Sequence, residues 1–458
     1  MVQKTETTQK VTLFIGDIIL IVVAIYISPM VRFGVLPDLV LVFNWPDLLA
    51  IFVYLMIFYI FDFYNLQECY KFGYFARFIF ALIIADLVIV TLFYIFNIRP
   101  YGAIILFIST VLILSLCLCW RALFFRWRRQ TQNALRVLII GAGWAGTDLY
   151  KLLSKRSDLH IIGFLDDDKA KWGMKPIPSA PEVIGGTDIL PVKIEEESVN
   201  LVIIAITHDM NNNLHKRIVD AKVRGVSVYE MPTFCENVFE KIPVQHVSNL
   251  WFVHVPLSGV RRTPYNLKVK KIIDIVMSLI VLIICTPLII IVALAIKIDS
   301  PGPVFYVQRR IGWDERPFNL FKFRTMKTGL ENDRKFAGQK NDPRITRVGK
   351  ILRLTRFDEV PQLWNVIKRD MSFIGPRALM EEEVKEFTPQ IPFFSLRHSI
   401  RPGITGWAQV NYPHGAKVED ALAKLEYDLY YIKNLSPLLD LRIFARTVKT
   451  VLFGRGAR

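Results

Sequence analysis

Four apolar stretches occupy the first quarter of this 458-residue chain and constrain its fold more than any other feature. They run from Val11 to Ser28, Pro46 to Tyr64, Phe75 to Phe96 and Tyr101 to Trp120. Each approaches the roughly 20 residues that a helix needs to cross a bilayer core. The first stretch lacks a small-residue cleavage site and is followed by further apolar stretches, which argues against a removable signal peptide. The sequence therefore predicts an N-terminal four-helix transmembrane bundle over residues 1–130.

Basic residues predict which way this bundle faces. The arginines between residues 121 and 129 follow the fourth stretch, and Lys4 and Lys10 precede the first. Positively charged loops tend to stay on the cytoplasmic side of a membrane. We therefore expect both termini and the soluble domains in the cytoplasm.

Acidic side chains lie inside or at the edges of the apolar stretches, at Asp17, Asp47, Asp62 and Asp86. Ionisable groups within a membrane are candidates for function. They also occur where helices hydrogen-bond to one another or where a stretch reaches the interface. We favour this second interpretation.

Charge and cysteine content narrow the possible partners. The net charge is +16, but the basic residues are not accompanied by zinc-finger spacing or an RNA-binding signature. Anionic lipid headgroups and phosphate-bearing ligands are better partners than nucleic acid. The five cysteines form no CxxC pair, which argues against a disulfide framework or a zinc site.

Residues 131–255 have the pattern of a Rossmann-like α/β domain. A buried strand, Arg136–Ile140, leads into Gly141-Ala-Gly-Trp-Ala-Gly146 and then an expected helix. A second strand, Ile161–Leu165, ends at Asp166. Another strand is expected over Val199–Ile206.

This glycine loop has two interpretations. Gly141, Gly143 and Gly146 suit a tight turn before a helix whose N-terminus attracts a pyrophosphate, and Asp166 stands where a ribose-binding acid would be. The other interpretation is a Rossmann-shaped domain that binds no nucleotide. The glycine motif alone does not decide between them.

The apolar segment 272–298 follows a basic linker over residues 256–271 and contains Thr286 and Pro287 near its middle. Proline removes a backbone donor and breaks or kinks a helix. Lysines flank the segment on both sides, so both ends are expected in the cytoplasm. A re-entrant helix-break-helix hairpin satisfies both observations, with the Thr286 hydroxyl bonded to a carbonyl at the break. The alternative is a fifth, kinked spanning helix.

An acidic pair, Asp358-Glu359, stands in the basic remainder of the chain, residues 299–458, just before Pro361 and an expected helix. Two acids at a helix start are often only helix caps. The neighbours of the pair favour a functional site over a plain helix cap. They are Arg353, Arg356 and the Gly375-Pro-Arg377 turn, and arginines among carboxylates suit a site where phosphate and metal meet. One carboxylate can act as a nucleophile, and its neighbour can hold Mg²⁺.

The region from Lys268 onward resembles the catalytic domain of the polyprenyl-phosphate hexose-1-phosphate transferases, the monotopic phosphoglycosyl transferase superfamily. The matching sequences are Lys-Phe-Arg-Thr-Met, Asn-Asp-Pro-Arg-Ile-Thr, Asp-Glu-x-Pro-Gln-Leu-x-Asn-Val, Asp-Met-Ser-x-x-Gly-Pro-Arg and Arg-Pro-Gly-Ile-Thr-Gly. With its four spans and Rossmann-like module, the chain is similar to the large members that initiate exopolysaccharide, capsule or O-antigen repeat units. The resemblance implies an α-rich catalytic domain and a bacterial inner-membrane location.

The resemblance also implies roles for individual residues. Asp358 matches the nucleophile, which attacks a UDP-sugar, releases UMP and forms a phosphosugar-aspartyl intermediate that undecaprenyl phosphate then accepts. Glu359 matches the Mg²⁺ ligand. Arg353 and Arg377 match phosphate-binding arginines, and the basic segment with Lys322 and Arg324 is expected to contact substrate phosphate.

Several points remain expectations. UDP-glucose and UDP-galactose are the favoured donors, and a homodimer is expected. Ala378 replaces the proline that usually follows Gly-Pro-Arg, which loosens the turn and affects the sugar or nucleotide pocket. His398 is interpreted as structural.

Two other functions compete with this one. A membrane-bound nucleotide-sugar dehydratase or epimerase shares the spans and Rossmann module, but it needs a Tyr-x-x-x-Lys motif that is absent from this sequence. A non-enzymatic scaffold for polysaccharide assembly does not explain the acidic pair and its arginines.

Overall fold

The computed structural model describes residues 2–34, 45–61, 63–64, 74–97, 103–131, 134–156, 158–206, 210–247, 256–260, 263–328, 342–413, 415 and 417–452. The chain divides into two compact units. The first ends at Val228 and the second begins at Tyr229, apart from the short segment 204–209, which groups with the second.

Four apolar helices begin the chain, as predicted. They are α1 (Val2–Phe33), α2 (Trp45–Ile60), α3 (Tyr74–Ile95) and α4 (Ala103–Thr131). Within the described residues, α1, α3 and α4 are long and apolar enough to cross a membrane, whereas α2 is a shorter apolar helix. Helices α1 and α4 extend beyond the predicted stretches because their polar ends continue the same helical hydrogen bonding.

Polar side chains connect these helices to one another. Asp17 forms a buried ion pair with Arg121, whose guanidinium also donates to the Phe63 carbonyl at 2.8 Å. Asp86 accepts hydrogen bonds from Tyr54 and Thr110. Both acids therefore bond between helices, which confirms the favoured interpretation for them. Asp47 is buried at the start of α2, and Asp62 lies outside the described residues.

The middle region forms the predicted Rossmann-like sheet. Its strands are β1 (Leu135–Ile140), β2 (Leu159–Leu165), β3 (Val183–Gly185), β4 (Leu201–Ile204) and β5 (Ser227–Glu230), in the spatial order 3-2-1-4-5. Strand β2 pairs in parallel with both β1 and β3. The helices α5 (Trp144–Leu153), α6 (Leu190–Glu196) and α7 (Asn212–Val223) alternate with the strands.

Helix α8 (Met231–Phe239) belongs to the second unit, although the sequence suggests a Rossmann-like domain that extends to residue 255. Ile242 and Val244, just beyond α8, are buried in a core shared with the C-terminal helices. Lys241 forms an ion pair with Glu426 at 2.6 Å. Apolar burial and ion pairing therefore place this segment with the catalytic region.

Helix α9 (Lys270–Asp299) contains Thr286 and Pro287 without an interruption, so the predicted division into two helices is not seen. Proline removes a single backbone donor from the helix. The Thr286 hydroxyl donates to the Leu282 carbonyl at 2.7 Å, one turn earlier. The hydroxyl thus bonds to a backbone carbonyl, as expected for Thr286, but not at a break, because the helical conformation continues through the proline.

The remainder of the second unit is α-rich, with two small sheets. Strands β6 (Phe305–Ile311) and β7 (Pro317–Phe323) form an antiparallel hairpin. Strands β8 (Ser372–Ile374) and β9 (Gly403–Thr405) pair in parallel. The helices are α10 (Arg347–Thr355), α11 (Gln362–Ile367), α12 (Glu381–Phe387), α13 (Trp407–Asn411), α14 (Val418–Asn434) and α15 (Pro437–Leu452).

Candidate active site around Asp358 and Glu359

The acidic pair lies in a 3₁₀ turn, Phe357–Glu359, between α10 and α11. Arg356 ends α10 in a left-handed conformation, with a φ of 59°, which turns the chain sharply before the acids. The Phe357 ring stacks on Phe323 of β7 with 6.2 Å between ring centroids. Pro361 then precedes the first residue of α11. The turn, the ring contact and the proline fix both acids against the β6–β7 hairpin.

Glu359 forms an ion pair with one lysine and faces a nearby arginine. The Lys322 ammonium lies 2.9 Å from its carboxylate, and the Arg377 guanidinium lies 3.8 Å away. Burial disfavours the charged carboxylate, but the positive charges of Lys322 and Arg377 outweigh it and lower the pKa of Glu359 to about 2. Glu359 is therefore anionic at neutral pH.

Asp358 has a different environment. Among the described residues its carboxylate has no hydrogen-bond partner, although the positive charges of Lys322 and Arg353 lie near it. Burial and the negative charge of Glu359 raise its pKa above the usual value, and these cations oppose that rise. The oxygens of Asp358 remain available to an incoming group.

Arg353 lies near Asp358 and is oriented by a neighbouring hydroxyl. Its Nε donates to the Thr325 hydroxyl at 2.9 Å. Arg353 therefore adds positive charge near Asp358, on the α10 side of the site. In the neighbouring Asn-Asp-Pro-Arg segment, Asp342 and Arg344 form a buried ion pair at 2.6 Å, and Asn341 lies outside the described residues.

Two arginines that the sequence did not single out hold the turn carrying Arg377. Arg397 is buried and donates to the Arg377 carbonyl at 3.2 Å. Arg310 of β6 donates to the Ala378 carbonyl at 3.3 Å. These bonds fix the backbone before and after the side chain of Ala378, which stands where the family usually has a proline. Ala378 itself is buried in a small apolar cluster.

Arg324 is the one predicted phosphate contact that lies away from the acidic pair. Its guanidinium is buried and donates at 2.7 Å to the backbone carbonyls of Ser300 and Pro301, just beyond α9. The structure thus brings together Asp358, Glu359, Lys322, Arg353 and Arg377. Arg324 instead stabilises the connection between α9 and β6.

The acidic pair fits Mg²⁺ only if the substrate and water supply most of the ligands. No cluster of three or more potential metal-binding His, Cys, Asp or Glu side chains occurs in the described part of the chain. Two adjacent carboxylates are nevertheless sufficient protein ligands when substrate phosphates and water complete the shell, which is the usual arrangement for Mg²⁺. The site therefore fits a cation that arrives with a phosphate substrate.

The glycine loop of the Rossmann-like sheet occupies the predicted place between β1 and α5. A β-carbon on Gly146 would collide with the Gly141 carbonyl, and Gly141 has a φ of 103°, so both positions require glycine. Gly143 is the residue that precedes α5. The Asp166 carboxylate accepts a hydrogen bond from the Ala142 amide at 2.8 Å. The predicted ribose-binding acid thus bonds to the loop itself.

Two regions of the chain match families of known proteins. Residues 265–454 match the family described as bacterial sugar transferase, and residues 59–232 match a family described as a CoA-binding domain. The UDP-N-acetylgalactosamine-undecaprenyl-phosphate N-acetylgalactosaminephosphotransferase of Aeromonas hydrophila is 39% identical over 250 residues, which cover 55% of this chain and 58% of that protein. The undecaprenyl-phosphate glucose phosphotransferase of Komagataeibacter xylinus is 32% identical, over 71% of this chain and 60% of that protein.

This chain covers a larger share of a third relative. The UDP-glucose:undecaprenyl-phosphate glucose-1-phosphate transferase of Xanthomonas campestris pv. campestris is 37% identical over 330 residues, which cover 71% of this chain and 68% of that protein. The chain spans about three fifths of the length of the first two relatives. The matched catalytic region and the extent of these relatives together show that the chain belongs to the bacterial sugar transferases, in the large polyprenyl-phosphate sugar phosphotransferase family.

Proposed function

We propose that this chain transfers a hexose-1-phosphate from a UDP-sugar to undecaprenyl phosphate with release of UMP, and so initiates a polysaccharide repeat unit. The names of the relatives support the class of reaction. The single observation that carries the proposal is the carboxylate of Asp358, which is without a hydrogen bond to the described residues yet lies beside Lys322 and Arg353. A nucleophile for a phosphate ester needs such unused lone pairs next to positive charge.

The reaction proceeds in two displacements at phosphorus. In the first, an Asp358 oxygen attacks the sugar-bearing phosphate, the bond to the nucleotide phosphate breaks, and UMP leaves with that electron pair. A phosphosugar-aspartyl intermediate remains. In the second, an oxygen of undecaprenyl phosphate attacks the same phosphorus, and the Asp358 carboxylate is released unchanged.

Each neighbouring residue has a distinct task. Lys322 and Arg353 balance negative charge on the phosphate that Asp358 attacks. Arg377 lies near Glu359 with about a third of its side chain exposed, so it can contact the diphosphate. Glu359 would hold Mg²⁺, which when bound neutralises the diphosphate and the departing nucleotide.

The membrane arrangement supports access for the lipid substrate. Before Pro287, Asp274 of α9 accepts a hydrogen bond from Ser372 at 2.6 Å. After it, Val292 and Ile296 pack in a cluster with Phe323 and Leu352. Along a straight helix Asp274 and Ile296 would lie about 33 Å apart. Contacts from both arms to one domain support a re-entrant helix bent near Pro287, with both ends on the cytoplasmic side.

Exposed apolar residues favour the same placement. Ile351 and Leu354 are 63% and 68% exposed on α10, the helix that carries Arg353 and ends three residues before Asp358. Leu438 and Leu441 of α15 are exposed as well. Apolar side chains on amphipathic helices insert at the headgroup boundary of a bilayer. This would hold Asp358 at the depth where the lipid phosphate lies.

The relatives' names include both glucose and N-acetylgalactosamine as the transferred sugar. We favour glucose, with galactose as the next candidate. A screen of UDP-sugars for UMP release, with the purified protein in lipid nanodiscs, Mg²⁺ and undecaprenyl phosphate, identifies the donor.

The decisive test is capture of the intermediate. Incubation with a UDP-sugar labelled in the sugar, without the lipid acceptor, should leave label on the protein and release UMP once per chain. Asp358→Asn should show neither event, whereas Asp314→Asn, at an exposed acid in the same domain, should behave like the wild type. Full labelling of the Asp358→Asn protein would contradict the assignment of the nucleophile.

A further inference from the structure

A second group of cations lies near the turn that carries Arg377 and includes a lysine of α14. Lys424 belongs to this helix and no sequence motif marks it. Its charged neighbours are Arg377 and Arg397, together with the acids Asp420 and Glu383. Arg377 therefore has Glu359 as one neighbour and Lys424 as another.

The fold explains why α14 presents Lys424 to this place. Asp428 lies one turn later on the same face of the helix and forms a buried ion pair with Arg397 at 2.8 Å. Arg397 in turn donates to the Arg377 carbonyl. The face of α14 that carries Lys424 is thus fixed against the turn that carries Arg377.

The acids near Lys424 have other partners. Asp420 accepts hydrogen bonds from the Tyr412 hydroxyl and the Lys417 amide, and Glu383 forms an ion pair with Arg310. The Lys424 ammonium donates to the Gly415 carbonyl at 2.5 Å, and this bond uses one of its three hydrogens. Two donors remain for a ligand.

Lys424 is half-buried, with both positive and negative charges around it. Burial and the positive charges of Arg377 and Arg397 lower the pKa of Lys424 below its usual value, against the opposing charge of Asp420. An anionic ligand would favour the charged form of Lys424 and offset the repulsion from the two arginines. Titratable groups with perturbed pKa values are common at binding sites.

We propose that Lys424, with Arg377, binds the phosphate of the leaving nucleotide, the second phosphate of the nucleoside diphosphate donor. This inference rests on the proposed function, in which the sugar-bearing phosphate lies at Asp358 beside Lys322 and Arg353. The other phosphate of the donor is adjacent by covalent structure and needs its own cations. Arg377, which neighbours both Glu359 and Lys424, would contact the diphosphate, and Lys424 would add a further positive charge for the phosphate of the nucleotide.

The test uses UMP itself as the probe, because it contains the leaving phosphate without the sugar phosphate. Binding of UMP to the full chain in nanodiscs with Mg²⁺ is measured by titration calorimetry. Lys424→Met should weaken UMP binding about tenfold or more, since a charge-assisted hydrogen bond is lost. Lys424→Arg should retain binding within about threefold, because the charge remains. Lys385→Met removes an equally charged, exposed lysine from α12 and should bind UMP like the wild type.

Steady-state rates provide a second readout. Lys424→Met should raise the KM for the UDP-sugar by a similar factor and weaken product inhibition by UMP. If Lys424→Met and the wild type bind UMP equally, the inference about Lys424 is wrong, whatever the variant's activity. If Lys424→Met and Lys424→Arg both lose UMP binding to the same extent, the role is structural and the inference is also overturned. Absence of UMP release by the wild-type protein with every UDP-sugar would instead contradict the proposed function.

Discussion

Asp166 and Asp358 are both acids that follow a regular element and lie near basic residues, but the structure uses them differently. The Asp166 carboxylate accepts hydrogen bonds from the amides of Ala142 and Asp168 and from Lys171, at 2.8 to 3.0 Å. Burial opposes its ionisation, yet these donors lower the pKa of Asp166. The Asp358 carboxylate accepts no hydrogen bond from the described residues, and burial with the Glu359 charge raises its pKa.

The contrast distinguishes an acid whose oxygens are bonded within the fold from one that we propose acts in the reaction. Asp166 uses its lone pairs to connect the end of β2 to the glycine loop, so its removal should loosen that loop. Asp358 has no hydrogen bond from the described residues and has cations near it, so its removal should affect chemistry more than folding. Proximity to basic residues does not distinguish the two cases, whereas hydrogen-bond occupancy does.

The largest effect among the neighbours of Asp358 is expected for Glu359→Gln. The change removes a proposed Mg²⁺ ligand and leaves the half-buried Lys322 without its counter-charge. We expect UMP release to fall by about 10²–10³-fold and the Mg²⁺ concentration for half-maximal rate to rise. Rates measured across a Mg²⁺ series test this, with the exposed Glu382→Gln as control. An unchanged Mg²⁺ dependence would mean that Glu359 does not hold the metal.

Lys322→Met should have a smaller effect on catalysis. The ammonium contributes charge to the phosphate but supplies neither the nucleophile nor the metal ligand. UMP release is expected to fall about 10–100-fold, since one charge-assisted contact to the transition state is lost. Steady-state rates of Lys322→Met and of Lys350→Met, an exposed lysine on α10, provide the comparison. Equal rates for the two variants would remove Lys322 from the site.

Asp166→Ala tests the other half of the comparison. Loss of hydrogen bonds to a charged group costs about 1.5–3 kcal/mol locally, so amide exchange over Gly141–Gly146 should become about 10–100-fold faster. UMP release should stay within about twofold of the wild type. Hydrogen-exchange mass spectrometry gives the first quantity and the activity assay gives the second. A large loss of activity with unchanged exchange would give Asp166 a role that its hydrogen bonds do not explain.

Much of the fold could be predicted because it depends on local patterns. Apolar stretches of spanning length predicted the four N-terminal helices, and the strand-glycine-helix order predicted the Rossmann-like sheet. The positions of Asp358, Glu359, Lys322, Arg353 and Arg377 in one site followed from their motifs. The sequence left the role of Asp166 and the course of α9 open, since the spacing after the glycine loop suits ribose binding and loop closure equally, and a proline is compatible with two helices or with one continuous helix.

The errors at the site have a similar physical origin. The family resemblance led us to expect phosphate contacts from both Lys322 and Arg324, which are two residues apart and would share one face only if both lay on a strand. Strand β7 ends at Phe323, so Arg324 leaves that periodicity and reaches the carbonyls beyond α9. Lys424, Arg397 and Arg310 could not be found from the sequence near the acids, because tertiary packing of α14 and β6 brings them to the Arg377 turn.

His398 provides the smallest predicted effect and a test of its structural interpretation. It is buried beside Phe394, and burial together with the Arg397 charge lowers the pKa of His398 to about 4, although Glu315 opposes this. The unfolded histidine titrates near 6.5, so the stability from its neutral form is present above about pH 6.5 and is lost as the pH falls toward 4. From pH 7 to 5.5 this costs about 1 kcal/mol, or a few degrees in the unfolding midpoint. His398→Gln should remove that part of the decline while leaving UMP release at pH 7 nearly unchanged; an equal decline in both proteins would show that the pH dependence comes from other groups.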